Sequence, residues 1–313
     1  MAMRKGQLVI LLMVITGSIF LGSIYWGMPK NLKHLDMNHT KKDLKETPQN
    51  AAERSKKADP ASGPVTEVPW MSDEEFKNMR TRAGAPIQMA AFLTVLPDPL
   101  PGEEQNVHLA ARILAGTVVQ PGQVFSMNRT IGPYSSARGF QQGPVYIGAQ
   151  LKTTIGGGVC KMATTLYNVA VLCDLSIVER HAHNMPVPYV PYGQDATVSY
   201  GNADFRFENN LAYPILIWAQ AVDNRLYVAF YGQSEAPRVE WHHQLLKQQK
   251  TWISYRNNPS LPQGVERTAV EGMDGAVVKS WVTVKAEDGS STTKQLGVSS
   301  YNPLPIVIER GGS

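Results

Sequence analysis

Apolar and polar positions divide the chain into an apolar N-terminal stretch, a polar stretch and a long mixed region. From Gly6 to Pro29 no side chain is charged, and this stretch is long enough for the roughly 20 apolar residues with which a helix spans a bilayer. A cleavable signal peptide usually has a shorter apolar core and ends in small residues, whereas Tyr25 and Trp26 lie near the end of this one. We therefore predict a cytoplasmic tail and a single-pass transmembrane helix in residues 1–30, with the remainder of the chain extracytoplasmic.

The polar stretch that follows is poor in branched and aromatic residues from Asn31 to Trp70. Such a sequence buries too little apolar area to offset the entropy that a chain loses on folding. We therefore expect a flexible polar stalk over residues 31–85, with the folded region beginning near residue 86.

Apolar residues recur at helical spacing in two segments of the mixed region, 104–116 and 160–172. They are Val107, Ala110, Ala111 and Leu114 in the first segment, and Ala163, Leu166, Ala170 and Cys173 along the second. The spacing predicts two amphipathic helices, and it makes Cys173 a core residue.

From Ser176 onward the apolar period changes to two, which is typical of strands. The alternating segments are 176–183, 195–200, 204–209, 213–222 and 225–232. Turn residues separate them, so we predict an antiparallel β-meander. The fold class predicted for residues 86–235 is α+β, with the helices packed on this meander.

Residues 249–313 are predicted to form a separate small all-β module. Two alternating runs flank the turn residues Glu287, Asp288 and Gly289, which is a hairpin signal. A further strand is expected at 305–310.

The distribution of charge along the chain indicates which classes of partner the folded region can bind. The formal net charge is +4 at pH 7, but Lys and Arg are in excess only in residues 1–60. The predicted folded region is close to neutral, which argues against nucleic-acid binding.

The candidate chemistry centres on Cys160. Three glycines precede it and place it in the first turn of the predicted helix, where the helix dipole lowers a thiol pKa from about 8.5. Strand alternation puts His181 and His183 on the same face of the next predicted strand, and Asp195 begins the strand after that. This order of Cys, His and Asp is the general plan of papain-like and transglutaminase-like acyl-transfer enzymes.

Two other interpretations of Cys160 stay open. It could be a small core residue at a tight helix start, or a metal ligand together with His181, His183 and Asp195. Besides His181 and His183 the sequence has no second pair of closely spaced metal ligands, so no metal or other cofactor is predicted. A disulfide with Cys173 is excluded, because 13 helical residues span roughly 20 Å.

Three runs in the chain carry a family resemblance. They are PGQVFSMNRTIGPYSSARGFQQGPVYIGAQ, GGGVCKMATTLYNVAVLCDLSIVERHAHNMPVPYVPYGQDATV and DFRFENNLAYPILIWA. Residues 86–232 thereby resemble a VanW domain, named after an accessory protein of glycopeptide-resistance gene clusters. In that family Cys-Gln and then Ser-Thr-Thr-Leu-Tyr-Asn usually follow the glycines, whereas here Lys161 replaces the Gln and Ala163 the Ser.

The resemblance implies a bacterial envelope protein with peptidoglycan or another cell-wall glycan as partner. Its C-terminal module is similar to a G5 domain, a module proposed to bind cell-wall sugars.

The resemblance supplies no reaction, so two hypotheses follow. In the first, Cys160 attacks an amide of a peptidoglycan stem peptide, His183 or His181 is the base, Asp195 orients it, and backbone amides of 158–160 hold the oxyanion.

In the second hypothesis the protein is a non-catalytic wall-binding or accessory protein, and the glycine loop and the histidine strand shape a recognition groove. The candidate binding residues are Gly156, Gly157, Gly158, Lys161, Thr164, Thr165, Asn168, Arg180, Asp204 and Arg206.

Overall fold

The computed structural model of the protein describes residues 61–96, 99, 101–147, 150–286 and 288–312. Within these ranges no helix is both long and apolar enough to cross a bilayer. The transmembrane helix predicted in residues 1–30 and the first part of the predicted stalk lie outside the described residues.

The described chain forms four α-helices and sixteen strands. The helices are α1 (Glu74–Ala83), α2 (Pro101–Leu114), α3 (Met127–Ile131) and α4 (Cys160–Leu172). The strands are β1 (Gly63–Pro64), β2 (Ile87–Val95), β3 (Thr117–Val119), β4 (Val124–Ser126), β5 (Gln142–Ile147), β6 (Gln150–Ile155), β7 (Ser176–Glu179), β8 (Arg206–Glu208), β9 (Ile215–Val222), β10 (Arg225–Gly232), β11 (Arg238–Gln249), β12 (Ile253–Asn257), β13 (Glu266–Val270), β14 (Gly275–Lys285), β15 (Ser291–Tyr301) and β16 (Ile306–Arg310).

The part of the described chain that precedes β11 is called the larger domain. Its centre is a five-stranded antiparallel sheet in the order β1-β2-β10-β9-β3. Alternate residues of its strands enter different cores, as the strand period of two requires. Ile217 and Phe230 pack with α2 and α4 on one face, whereas Trp218 and Tyr231 pack with α1 on the other. The sheet is therefore covered by helices on both faces, and the two predicted helices at 104–116 and 160–172 are confirmed as α2 and α4.

Residues 61–85 belong to this folded domain, so the prediction that a flexible stalk extends to residue 85 is wrong for them. Asp73 caps α1 by accepting hydrogen bonds from the backbone amides of Glu75 (2.7 Å) and Phe76 (3.2 Å). Phe76 and Trp70 are almost fully buried, and the Trp70 indole donates a hydrogen bond to the Tyr231 hydroxyl at 2.9 Å. Two large side chains within a polar sequence are thus enough to fix the segment on the sheet.

The single predicted meander is also wrong, because its strands divide between two sheets. β7 and β8 join β4 in a three-stranded antiparallel sheet of order β4-β8-β7, whereas β9 and β10 lie in the central sheet. The segment 195–200 makes only isolated bridges, at Thr197 and Ser199. Strands from earlier in the chain pair with the later ones: β2 with β10, β3 with β9, and β4 with β8.

The C-terminal module consists of two three-stranded sheets, β11-β14-β15 and β12-β16-β13. The hairpin predicted around residue 288 is confirmed as β14 and β15, and the terminal strand as β16. The module begins at Arg238 rather than at residue 249, because β11 pairs along nearly its whole length with β14.

Candidate active site

The glycine run shapes the loop that delivers Cys160 to the start of α4. Gly156 and Gly158 have φ angles of 81° and 94°, in the region that side chains disfavour. Gly157 lies against Gly143 of β5, where an added Cβ would come within 2.2 Å of the Gly143 carbonyl carbon. The glycines therefore determine the position of Cys160. That they also bind a ligand stays a prediction.

The thiol of Cys160 faces the segment that carries Asp195. Its Sγ lies 3.2 Å from Thr197 Oγ1 and accepts a hydrogen bond from the Val198 backbone amide at 3.5 Å. The side chain is partly buried at the edge of the core, whereas Cys173 is 1% exposed and burial raises its pKa. The two thiols are both free, and only Cys160 has the surroundings of a reactive one.

His183 joins Cys160 to Asp195. Its Nδ1 lies 2.7 Å from Asp195 Oδ2, and its backbone amide donates to the same oxygen at 2.7 Å. Two contacts from one residue fix the orientation of the ring, and the ring lies near enough to Cys160 for the two groups to shift each other's pKa. The structure thus brings together Cys160, His183 and Asp195 in the order predicted from the sequence.

The carboxylate of Asp195 is 1% exposed and is held on every side. Arg180 donates from Nη2 to Asp195 Oδ1 (2.9 Å) and from Nε to the Asp195 carbonyl oxygen (2.7 Å). The hydroxyl of Tyr301 donates to the same Oδ1 at 2.5 Å. A buried charge is tolerated only when it is paired and hydrogen-bonded in this way, and Arg180 therefore binds Asp195 rather than a ligand.

The electrostatics of the three groups favour an ion pair. Burial alone would raise the pKa of Asp195, but the hydrogen bond and charge of His183 hold it below its usual value. Burial alone would lower the pKa of His183, but its hydrogen bonds to Asp195 and Cys160 raise it to about 9. Burial also raises the pKa of Cys160, and the hydrogen bond and charge of His183 overcome this and lower it below the usual 9.0. These shifts favour a thiolate beside an imidazolium over a neutral thiol beside a neutral imidazole.

His181, the alternative base, has a different partner. Its Nε2 lies 3.0 Å from Glu179 Oε1, and 46% of its side chain is exposed. β7 ends at Glu179, so the alternation that would put both histidines on one strand face does not continue to His183. Of the two candidate bases, His183 is therefore the one that the structure places beside Asp195, and His181 is not.

The two histidines also bear on the metal interpretation. In the part of the chain that the structure describes, no group of three or more His, Cys, Asp or Glu side chains is arranged to hold a metal ion. Since His181 binds Glu179 and His183 binds Asp195, the predicted pair of imidazole ligands is divided between two partners.

Three predicted binding residues on α4 are fully buried. Thr164 Oγ1 donates to the Ala196 carbonyl (3.1 Å) and accepts from its amide (2.9 Å), and Asn168 donates to the Gln194 carbonyl (2.8 Å). Thr165 lies 2.8 Å from Thr94 of the central sheet. Direct ligand contact by Thr164, Thr165 and Asn168 is therefore a wrong expectation, and their hydrogen bonds fix α4 on the sheet and on the backbone beside Asp195.

Asp204 and Arg206 make local contacts. Asp204 accepts hydrogen bonds from the Ser126 hydroxyl (2.5 Å) and the Asn128 amide (2.9 Å), which stabilises the start of α3. Arg206 Nη1 lies 3.6 Å from Glu179. Both side chains hold neighbouring elements together, and binding by them stays a prediction.

Lys161 follows Cys160 and is largely buried. Its ammonium pairs with Glu103 of α2 and lies 5.1 Å from the centre of the Tyr189 ring. Burial lowers its pKa to about 8. The lysine thus ties the start of α4 to α2, next to Cys160.

One of the three backbone amides proposed for an oxyanion hole is engaged within the turn. The Val159 amide donates to the Gly156 carbonyl (3.2 Å), and the Lys161 amide, which follows the proposed set, donates to the Gly158 carbonyl (3.0 Å). These bonds close the helix start, and the predicted oxyanion role is therefore not supported for Val159.

Sequence reasoning missed two residues of the site, Thr197 and Tyr301. Thr197 lies two positions after Asp195, and the alternation of that segment could have placed both on one side. Tyr301 is 106 residues away from Asp195, and no local pattern connects them.

Comparison with known proteins defines the class of the larger domain. The family model described as VanW like protein matches residues 102–231. This part of the chain, which contains Cys160, His183 and Asp195, is similar to the VanW family.

Two curated relatives share this region. The chain is 35% identical over 145 residues to "Uncharacterized protein YoaR" of Bacillus subtilis, covering 46% of this chain and 48% of that protein. It is 30% identical over 126 residues to "Vancomycin B-type resistance protein VanW" of Enterococcus faecalis, covering 39% and 46%. The chain therefore spans about half the length of the curated relatives it matches.

Solved structures offer weaker likenesses. The G5 domain of IgA1 protease matches 26% of this chain and 99% of its own length, with 19% identity and a TM-score of 0.17. HP0197-G5 matches 24% and 99%, with 18% identity and a TM-score of 0.14. At these TM-scores the likeness assigns neither a fold nor a ligand to the C-terminal module.

Proposed function

We propose that the protein is a cell-envelope enzyme that transfers or hydrolyses acyl groups, with Cys160 as nucleophile, His183 as general acid and base, and Asp195 as the group that orients His183. The observation that carries the proposal is the position of the His183 imidazole, whose Nδ1 lies 2.7 Å from Asp195 Oδ2 and which is close enough to the Cys160 thiol to lower its pKa. The lowered pKa of the thiol and the raised pKa of the imidazole support the same assignment.

The reaction follows from these protonation states. The Cys160 thiolate attacks the carbonyl carbon of an amide, and a C–S bond forms. The C–N bond then breaks as the His183 imidazolium gives its Nε2 proton to the leaving amine. A water molecule or a second amine next attacks the thioester, neutral His183 accepts its proton, and the thiolate is released.

The proposed substrate is an amide of a peptidoglycan stem peptide, and the proposed location is the outer face of the cell membrane. The uncharged apolar stretch from Gly6 to Pro29 supports a single-pass anchor. The similarity over 126 residues to a protein named for vancomycin B-type resistance supports a wall substrate.

Turnover of purified stem-peptide fragments, followed by mass spectrometry, tests this proposal. We expect Cys160→Ala to abolish product formation in the folded full-length protein. Cys173→Ala is the matched control, because it removes the other thiol from the core and should leave turnover within a few-fold. Equal turnover by wild type and Cys160→Ala would contradict the proposal.

A non-catalytic wall-binding role is the second candidate, and the C-terminal module supports it. Trp252 and Tyr255 are 50% and 51% exposed, and the guanidinium of Arg310 lies 3.4 Å from the centre of the Tyr255 ring. Exposed aromatic side chains are common in binding surfaces. This candidate predicts that Trp252→Ala weakens retention on purified cell-wall sacculi while Cys160→Ala does not.

A further inference from the structure

The C-terminal module reaches the candidate active site through the end of strand β15. Tyr301 is the last residue of this strand, and only 4% of it is exposed. Its hydroxyl donates to Asp195 Oδ1 at 2.5 Å and accepts a hydrogen bond from the Gly193 amide at 2.8 Å. Burial raises the pKa of Tyr301 to about 12, so the hydroxyl stays a donor throughout the physiological range.

Strand β15 also holds the other partner of Asp195. Ser299 lies two residues before Tyr301, and its hydroxyl accepts a hydrogen bond from Arg180 Nη1 at 2.7 Å. Arg180 in turn contacts both the carboxylate and the carbonyl of Asp195. Strand β15 thus anchors Asp195 in two ways. Tyr301 binds its carboxylate directly, and Ser299 acts indirectly by binding Arg180.

The packing leaves Tyr301 little freedom to move. Its ring lies 5.4 Å from the ring of Tyr192, whose hydroxyl donates to the Asp274 carbonyl at 2.7 Å. Gly193 lies so close to β14 that an added Cβ would be 2.1 Å from Ser280 Oγ. The contact between the segment 192–195 and the module is therefore a close fit of backbone and side chains, and the tyrosine hydroxyl is fixed within it.

We propose that Tyr301 is a positioning residue of the site, so that the C-terminal module completes the Cys160–His183–Asp195 arrangement rather than being only an appended binding module. The inference rests on the proposed function. With Oδ1 held by Tyr301 and Arg180, Oδ2 stays directed at His183 Nδ1, and the same ring stays close to the thiol. The VanW domain alone, residues 102–231, lacks this support.

The rate of Cys160 alkylation by iodoacetamide, measured against pH in the full-length protein, tests the inference. Cleavage after Lys161 puts the two cysteines on different peptides, so mass spectrometry follows Cys160 alone. Because a hydrogen bond to a charged group is lost, we expect Tyr301→Phe to slow alkylation at pH 7 roughly 3- to 30-fold and to raise the apparent thiol pKa. Ser299→Ala should also slow alkylation and raise the apparent thiol pKa, but to a smaller extent. It replaces Tyr301→Phe as the test variant if the tyrosine variant does not fold.

Tyr213→Phe is the matched control, because it removes a hydroxyl that is hydrogen-bonded to Ser234 at 2.6 Å in another part of the domain. It should leave the alkylation profile unchanged. Tyr301→Phe should also have no further effect when His183 is already Ala, since the tyrosine acts through the histidine.

The outcomes separate the two proposals. An ordinary thiol pKa in the wild type would overturn the proposed function and this inference with it. A lowered thiol pKa that Tyr301→Phe and Ser299→Ala leave unchanged would overturn the inference alone. An equal effect of Tyr301→Phe with and without His183 would also overturn it, because a general loosening of the fold would then explain the result.

Discussion

The imidazole of His183 is the side chain on which the candidate site depends most. It contacts Asp195 through both ring and backbone, and it supplies the charge that lowers the pKa of Cys160. His181 is the chemically identical residue two positions earlier, and it is exposed beside Glu179. The pair therefore provides a controlled comparison within one segment.

We expect His183→Ala to lower kcat/KM for the stem-peptide substrate by about 10²- to 10⁴-fold, because a positioned general acid and base is lost. His181→Ala should change kcat/KM by no more than a few-fold. Steady-state kinetics of the two purified variants provides the measurement. A comparable loss in both variants would contradict the assignment of the base.

The three central residues could be predicted from the sequence because each has a local signal. Cys160 follows a glycine run at a helix start, and His183 and Asp195 lie in segments with a strand period. The anchors of Asp195 could not be predicted in the same way, since Tyr301 and Ser299 approach it only through the packing of a distant strand. Geometry of this kind depends on tertiary contacts and leaves no periodicity in the sequence.

At the scale of elements, helix α1 extends the fold before residue 86. Phe76 is fully buried, and its ring lies 5.2 Å from that of Trp218 and 4.9 Å from that of Tyr231. α1 therefore covers the face of the central sheet opposite to α4, and its attachment depends on few side chains.

Phe76→Ala should lower the free energy of unfolding by about 3 to 5 kcal/mol, because it leaves a cavity among buried aromatic rings. Met71→Ala, at a residue that is 50% exposed, should change it by about 0.5 kcal/mol or less. Denaturant unfolding followed by circular dichroism measures both. If the two variants were equally stable, residues 61–85 would not be part of the folded domain.

Helices α2 and α4 were predictable because their apolar stripes are local and because Gly116 and the run 156–158 mark their ends. The sheets were not, because strand partners are chosen across the chain. β8 pairs with β4, and β9 pairs with β3, although both partners precede α4. A period of two identifies strands but does not say which strands are neighbours.

At the scale of the whole molecule, the larger domain and the C-terminal module share one core. Val282 and Val284 of β14 belong to the same buried cluster as Phe230 of the central sheet. The Tyr167 ring of α4 lies 5.8 Å from the Trp241 ring of β11. Helix α4, which carries Cys160, is therefore packed against both the larger domain and the C-terminal module.

This shared core predicts a single cooperative unfolding transition. Hydrogen exchange followed by mass spectrometry at increasing denaturant should give the same midpoint for peptides of β9 and of β14. Loss of protection in β14 at clearly lower denaturant, with β9 and α4 still protected, would show that the module unfolds independently.

The measurement that tests the central claim most directly is the pH dependence of Cys160 alkylation in the full-length protein. Alkylation follows the thiolate, so its rate rises with pH through the thiol pKa. We expect a midpoint below the roughly 8.5 of a free cysteine in the wild type and a higher midpoint in His183→Ala, which loses the hydrogen bond and the charge of the imidazole that lower the pKa of the thiol. A wild-type midpoint at or above about 8.5, or one that His183→Ala leaves unchanged, would contradict the Cys160–His183 pair.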